Sequence, residues 1–230
     1  MSATTTTIVV MAKECLPGRV KTRLHPPLTL DDAARVAAAS LADTLDTVVG
    51  TGLDVVVCAQ GEVPVPAGVA VIPQVAGGLD ERIAAAFDAV DGRVLLIGMD
   101  TPQCDPQLLV GIAADWPDDV DAFFGAAHDG GFWLLGLEGP RSERLVGLRR
   151  GDLVRGVPMS TAETGRRQRA RLVDAGLRVA EVAALTDIDD LASLREVSRD
   201  LVPGGRLARL LPELGVLDAS HPTAERGGAS

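Results

Sequence analysis

Tyrosine is absent from this chain, and Phe and Trp together make up only 3% of it. Proteins that hold single-stranded nucleic acid stack bases on aromatic rings, so that class loses its main tool. Positive charge is also short: 22 Lys and Arg face 32 Asp and Glu, a net charge of −10. Duplex DNA or RNA selects a basic footprint, and this balance argues against either as a partner. Cys15, Cys58 and Cys104 are few and scattered. Without a CxxC or Cys/His spacing they imply reduced thiols rather than a structural zinc site. No run approaches the roughly 20 apolar residues of a membrane span. The opening MSATTTTIVVMAK lacks the basic start and long apolar stretch of a signal peptide. The expectation is a cytoplasmic protein. GxGxxG after the first strand, GxSxG and HExxH are missing too, which removes support from redox, serine-hydrolase and zinc-protease readings.

What is present is a chain of 230 residues, 47% of them hydrophobic, enough to bury a substantial core. Short apolar runs at residues 5–11, 53–59, 68–73, 93–98, 122–127, 132–137 and 177–185 read as strands. Between them, residues 79–90, 106–114 and 161–175 read as helices, and a further helix follows Asp190. Another helix starts at Thr29, where Thr29-x-x-Asp32 resembles a capping box, and ends at Gly50 or Gly52. The intervening AKECLPGRVKTRLHPPL, with one Gly and three Pro, excludes a regular element. Residues 143–154 carry no clear period. Alternation of strand and helix implies an α/β fold with a mostly parallel central sheet flanked by helices. Such folds bind ligands at the carboxyl ends of the strands. The domain is expected over 1–203, with 204–230 a C-terminal extension and flexible tail.

Five segments could carry chemistry. AKECLPGRVKTRL, residues 12–24, follows the first strand and places Lys13, Arg19, Lys21 and Arg23 in an otherwise acidic protein. Cations on a loop suit phosphate oxygens, and Gly18 permits close backbone approach. A solvated basic loop is the plainer alternative. IGMDTP sets Asp100 just past a buried strand, where a carboxylate can hold Mg²⁺ or Mn²⁺, or can simply serve the turn. In LTDIDDL, Asp187 and Asp189 share a face if extended and would repel without a cation between them, whereas Asp190 is placed to cap a helix. Asp129-Gly130-Gly131 lies between two strands and reads equally as a hairpin turn. His128 beside it signals little. GGLDER puts Gly77 and Gly78 before a helix start, offering N–H groups to an anion, with Arg82 adding charge, or forms a plain turn.

In this order AKECLPGRVKTRL, GGLDER, GMDTPQC, DGGFWLLGL and DIDDLASL resemble the motifs of a bacterial family of GT-A-type glycosyltransferase-like proteins within the nucleotide-diphosphosugar transferase superfamily. The likeness spans roughly residues 8–200. It implies a Rossmann-like GT-A fold with a divalent metal, Mg²⁺ or Mn²⁺, between donor phosphates and carboxylates. On that resemblance Ala12, Lys13, Gly18, Lys21 and Arg23 form the phosphate loop, and Gly77 and Arg82 line the nucleotide site. Asp100 would be the first metal ligand and a catalytic residue. Asp187 would be the second ligand, with Asp189 in reserve, and Asp129, the other catalytic residue, would face the acceptor. Cys15, Cys104, Gly78, Asp80, Phe132 and Ser193 depart from the family pattern, and none of these changes removes an expected phosphate or metal contact.

The resemblance implies a metal-dependent transferase with a nucleotide-linked donor and a small-molecule acceptor. Glycosyl transfer from a nucleotide sugar leads. Nucleotidyl transfer from a nucleoside triphosphate is the alternative, since phospholactate guanylyltransferases carry similar segments. A nucleotide-binding domain without turnover is a third reading.

Overall fold

Thr6–Lys13 (β1) is β-branched and apolar, and its side chains alternate between two buried faces: Ile8, Val10 and Ala12 on one, Val9 and Met11 on the other. A strand covered on both sides is expected at the centre of an α/β sheet. The computed structural model describes residues 5–139, 145 and 147–216. In chain order follow α1 (Leu30–Gly50), β2 (Asp54–Gln60), β3 (Ala70–Pro73), α2 (Leu79–Ala89), β4 (Arg93–Gly98) and α3 (Pro106–Ala114). Then come β5 (Ala122–Ala127), β6 (Phe132–Leu137), α4 (Thr164–Asp174), β7 (Val179–Leu185), α5 (Leu191–Val197) and α6 (Arg206–Glu213).

The seven strands form one sheet in the order β3-β2-β1-β4-β6-β5-β7. Every neighbouring pair is parallel except those made by β6, which runs antiparallel to both β4 and β5. The mostly parallel α/β sheet expected from the sequence is therefore the one observed. One face carries α1 and α3, with Leu41, Leu45, Leu109 and Ile112 inward. The other carries α2 and α4, with Ile83, Phe87 and Leu172 inward. Chain order reverses beside β1, which pairs with β2 on one side and β4 on the other. A crevice opens outside the carboxyl ends at such a switch point.

Local chemistry accounts for most element ends. Thr29 caps α1 by accepting from Asp32 N at 3.0 Å, and Asp105 caps α3 by accepting from Gln107 N at 2.8 Å. Asp190 caps α5 in a reciprocal capping box with Ser193. Three differences from the sequence reading stand out. Residues 12–28 are not wholly irregular, because β1 continues to Lys13 and Thr22–Leu24 forms a 3₁₀ turn anchored by buried Leu24. Helix α4 starts at Thr164 rather than residue 161, since the Thr164 hydroxyl is spent on the Pro158 carbonyl at 2.9 Å, closing a turn just before it. The C-terminal extension contains α6, whose Leu207, Leu210 and Leu211 pack with Ala33 and Val36 of α1. Within the unassigned stretch, Arg150–Leu153 forms a 3₁₀ turn, while residues 143, 144 and 146 lie outside the described residues, as does the tail from 217 onward.

Candidate functional site

β1 and β4 end side by side, and the loops leaving them frame a cleft of about 200 Å³ lined by Lys13, Arg19, Lys21, Arg23, Asp100 and Asp189. The loop after β1 turns at Gly18, where φ is +73°. Lys21 then adopts the left-handed region at φ 48°, uncommon for a residue with a Cβ. That backbone sends the Lys21 side chain inward, leaving it 8% exposed. Its ammonium lies 2.7 Å from Asp100 Oδ1 and donates to the carbonyl of Ile188. Arg23, on the rim, pairs with Asp189.

The two acidic loops are joined as well. Ile188 N donates to the Asp100 carbonyl at 3.0 Å, and fully buried Ile188 anchors the segment in the core. Asp187 and Asp189 flank it. The β4 end is held from below by Ser40 of α1, whose hydroxyl donates to the Met99 carbonyl at 2.9 Å. Burial pushes the Asp187 carboxyl up to about 6, with Asp129 and Asp100 adding repulsion against its ionised form. Asp100 and Asp129, from two separate motifs in the sequence, thus both bear on Asp187. A folded pKa above the unfolded one means that the folded state holds the proton more tightly. The contribution of Asp187 to stability is fully present below its ordinary value of 3.8 and is lost as pH rises through about 6. In metal-free protein, Asp187→Asn is expected to remove that part of the slope. Urea unfolding of both forms between pH 4 and 7 measures it, and parallel curves would refute it.

These donors suit a divalent cation in one specific way. The buried Asp100 Oδ1 has no hydrogen bond, only the ion pair with Lys21. Among the described residues, no three His, Cys, Asp or Glu side chains converge to hold an ion by themselves. A cation would rest on the Asp100 and Asp187 or Asp189 carboxylates and take its other oxygens from a ligand and water, the habit of Mg²⁺.

Asp129 lies in the hairpin between β5 and β6, at the same edge as Asp100, and accepts from Gly131 N at 2.7 Å. The segment is the turn that the sequence allowed, and it leaves the Asp129 side chain exposed. The sequence did not reveal what fastens it. Gly165 N, at the start of α4, donates to the Gly130 carbonyl at 2.7 Å. His128 faces Thr186 (Nδ1 to Oγ1, 2.8 Å), which donates to Glu196 at 2.9 Å.

In GGLDER, Gly77 has φ +116° and Gly78 begins α2 without a side-chain cap. Arg82 donates to the Gly77 carbonyl at 3.0 Å and to Gln60 Oε1 at 2.7 Å, so it braces this turn against the end of β2. Gln74, which the sequence did not single out, donates to the carbonyls of Ala12 and Cys58 at 2.8 and 2.9 Å and ties the β1 and β2 ends together. Asp80 accepts from Gly156 N at 2.9 Å, a structural duty at this departure from the family pattern. Cys104 is 3% exposed, and burial pushes its thiol up to about 12. It fills the apolar place expected there. Burial, and then Asp100, raise the Cys15 thiol to about 11, which disfavours its thiolate near neutral pH.

Comparison with solved structures establishes the fold. A protein of Desulfovibrio desulfuricans G20, described as a candidate nucleotide-diphospho-sugar transferase, superposes with a TM-score of 0.75 at 24% identity, over 92% of this chain and 96% of that one. CMP:2-keto-3-deoxy-manno-octonic acid synthetase complexed with CTP matches with a TM-score of 0.51 at 14% identity, over 91% and 100%. Glucosyl-3-phosphoglycerate synthase from Mycobacterium tuberculosis, with Mn²⁺, UDP and glucosyl-3-phosphoglycerate, matches with a TM-score of 0.52 at 13% identity, over 95% and 82%. No curated protein matches. The profile of one family matches residues 32–161, from α1 through the β5–β6 hairpin to the approach to α4. The chain belongs to that family, described as uncharacterized protein conserved in bacteria (DUF2064).

Proposed function

We propose that this protein is a metal-dependent transferase that takes a nucleotide-linked donor and passes its glycosyl group to a small acceptor. One observation carries the reading: the basic loop after β1 meets Asp100 and the Asp187–Asp189 segment in a single cleft at the sheet's switch point. Cations facing carboxylates suit a donor diphosphate that is shared between side chains and a metal.

In the proposed reaction an acceptor hydroxyl oxygen bonds to the anomeric carbon as the bond from that carbon to the phosphate oxygen breaks. The nucleoside diphosphate leaves with the electron pair, and the hydroxyl proton is released. Lys13, Lys21 and Arg23 neutralise the charge that develops on the leaving phosphate. Gly77 and Arg82 line the nucleotide side, and Asp129 faces the acceptor. Asp100 and Asp187, with Asp189 alongside, would hold Mg²⁺ or Mn²⁺, whose Lewis acidity stabilises the departing diphosphate. The fold is shared by a CTP-bound synthetase and a UDP-bound glucosyl synthase, so fold alone does not choose the chemistry.

Thermal unfolding with Mn²⁺ and a panel of nucleotide sugars and nucleoside triphosphates tests the choice. A donor at about 100 times its Kd stabilises by about 2.7 kcal/mol, a rise of roughly 5–10 °C for a chain of this size. The expected result is such a rise with at least one nucleotide sugar. A rise with triphosphates alone would replace glycosyl by nucleotidyl transfer, and none with either would defeat the nucleotide reading.

A further inference from the structure

The Lys21 ammonium sits where a cation is wanted. It contacts Asp100 Oδ1 at 2.7 Å and donates to the carbonyl of Ile188, the residue between Asp187 and Asp189. With the side chain 8% exposed, this is a buried group and not a surface lysine. Its backbone is held in the left-handed region at φ 48°, a conformation that persists in a residue with a Cβ only where its surroundings impose it. Apart from that ammonium, 2.7 Å away, the buried Asp100 Oδ1 has no partner among the described residues. The ammonium can therefore leave only in exchange for another cation, since the buried oxygen would otherwise stand unpaired. By contrast, Arg23 pairs with Asp189 from the rim, its side chain 74% exposed.

We propose that Lys21 is an exchangeable counter-ion: without donor its ammonium neutralises Asp100 in place of the divalent cation, and with donor it moves to phosphate and cedes the carboxylate. This rests on the reading of the cleft as a metal–nucleotide site. The consequence is an order of binding. A divalent cation arriving alone meets a lodged ammonium at its first ligand and binds weakly. A donor diphosphate offers the ammonium a better partner, and metal and donor then favour each other by the same factor in either order. The metal enters with the nucleotide rather than before it, and the empty site keeps its acidic residues neutralised.

The test is Mn²⁺ binding to the full chain without nucleotide, read from the electron paramagnetic resonance signal of free Mn²⁺. Lys21→Gly suits the left-handed backbone and removes the charge. Lys21→Met removes the charge and keeps the stem, and Lys21→Arg keeps the charge. A unit charge within a few ångströms of a carboxylate biases its ionic partners by about tenfold or more. Both neutral variants are therefore expected to bind Mn²⁺ about tenfold more tightly than the parent, with Lys21→Arg at the parent level. Two neutral variants guard against one that fails to fold, and cooperative melting in EDTA identifies which is usable. Mn²⁺ affinity that is unchanged or weaker in the folded neutral variants overturns the exchange. Asp100→Ala separates the two levels of the argument. Loss of Mn²⁺ binding there without gain in the Lys21 variants defeats the exchange alone, whereas Mn²⁺ binding that survives Asp100→Ala defeats the metal site and the exchange with it.

Discussion

Asp100→Ala is expected to lower Mn²⁺-dependent donor binding by more than about 100-fold, since even residues that only support a metal ligand are worth 10–100-fold. Asp100 stands at the end of β4, fixed by the Ile188 N–H on its carbonyl and by Ser40 on the preceding Met99. No other carboxylate in the described cleft has an oxygen so buried and so free of hydrogen bonds. The substitution also strips Lys21 of its charge partner, leaving an almost enclosed ammonium with a carbonyl. Breaking a charged contact of this kind costs about 1–3 kcal/mol. The two effects separate in the double variant Asp100→Ala/Lys21→Met, which is expected to recover stability while staying unable to bind the metal. Urea unfolding alongside Mn²⁺-dependent thermal shifts measures both. Donor binding that remains metal-dependent in Asp100→Ala would place the ligand elsewhere.

The second large effect is one of stability. Gly130 has φ +92°, and a Cβ built on it would lie 2.2 Å from the carbonyl oxygen of Ala162. At Gly165 a Cβ would lie 2.2 Å from the Gly131 carbonyl oxygen. In both cases the obstruction is backbone, which cannot swing aside as a side chain would. The hairpin carrying Asp129 and the start of α4 therefore touch main chain to main chain. Gly130→Ala or Gly165→Ala should cost about 2–4 kcal/mol, or roughly 5–15 °C in Tm. Gly147→Ala, also at positive φ (+83°) but with nothing within 4 Å, controls for backbone strain alone and should cost clearly less. Equal losses at Gly130 and Gly147 would mean that φ, not contact, decides there, whereas Gly165, which is not at positive φ, reports contact alone.

Much of this architecture was legible because buried strands are short and uninterrupted. Arg93–Gly98, Ala122–Ala127 and Phe132–Leu137 begin and end where the apolar runs do. Caps announce themselves over three or four residues, as Thr29 and Asp190 did. Helix α6 escaped because Pro203, Gly204 and Gly205 precede it and read as a break, while the α1 surface that rewards Leu207, Leu210 and Leu211 lies far away in sequence. The candidate cleft divides along the same line. Residue types at strand ends pointed to Lys21, Asp100 and Asp187, because loops at carboxyl edges face ligands. That Lys21 would settle on Asp100, or that Gly165 would clamp Gly130, depends on contacts that no local pattern encodes. Arg82 shows the limit from the other side. Its spacing suggested an anion, and it braces Gly77 and Gln60 with the same guanidinium.

The Ile188 carbonyl beneath Lys21 and the Asp189 partner of Arg23 lie 167 and 166 residues further along the chain, with Asp100 in between. On a ribosome, the basic loop emerges early, meets Asp100 before the chain is half made, and waits far longer for the Asp187–Asp189 segment. Contacts of such range form late, after intervening segments have paid their loop-closure entropy. Competence to bind should therefore be the last property this chain acquires, and a nascent chain stopped before Asp187 would carry exposed cations with only part of their acidic complement.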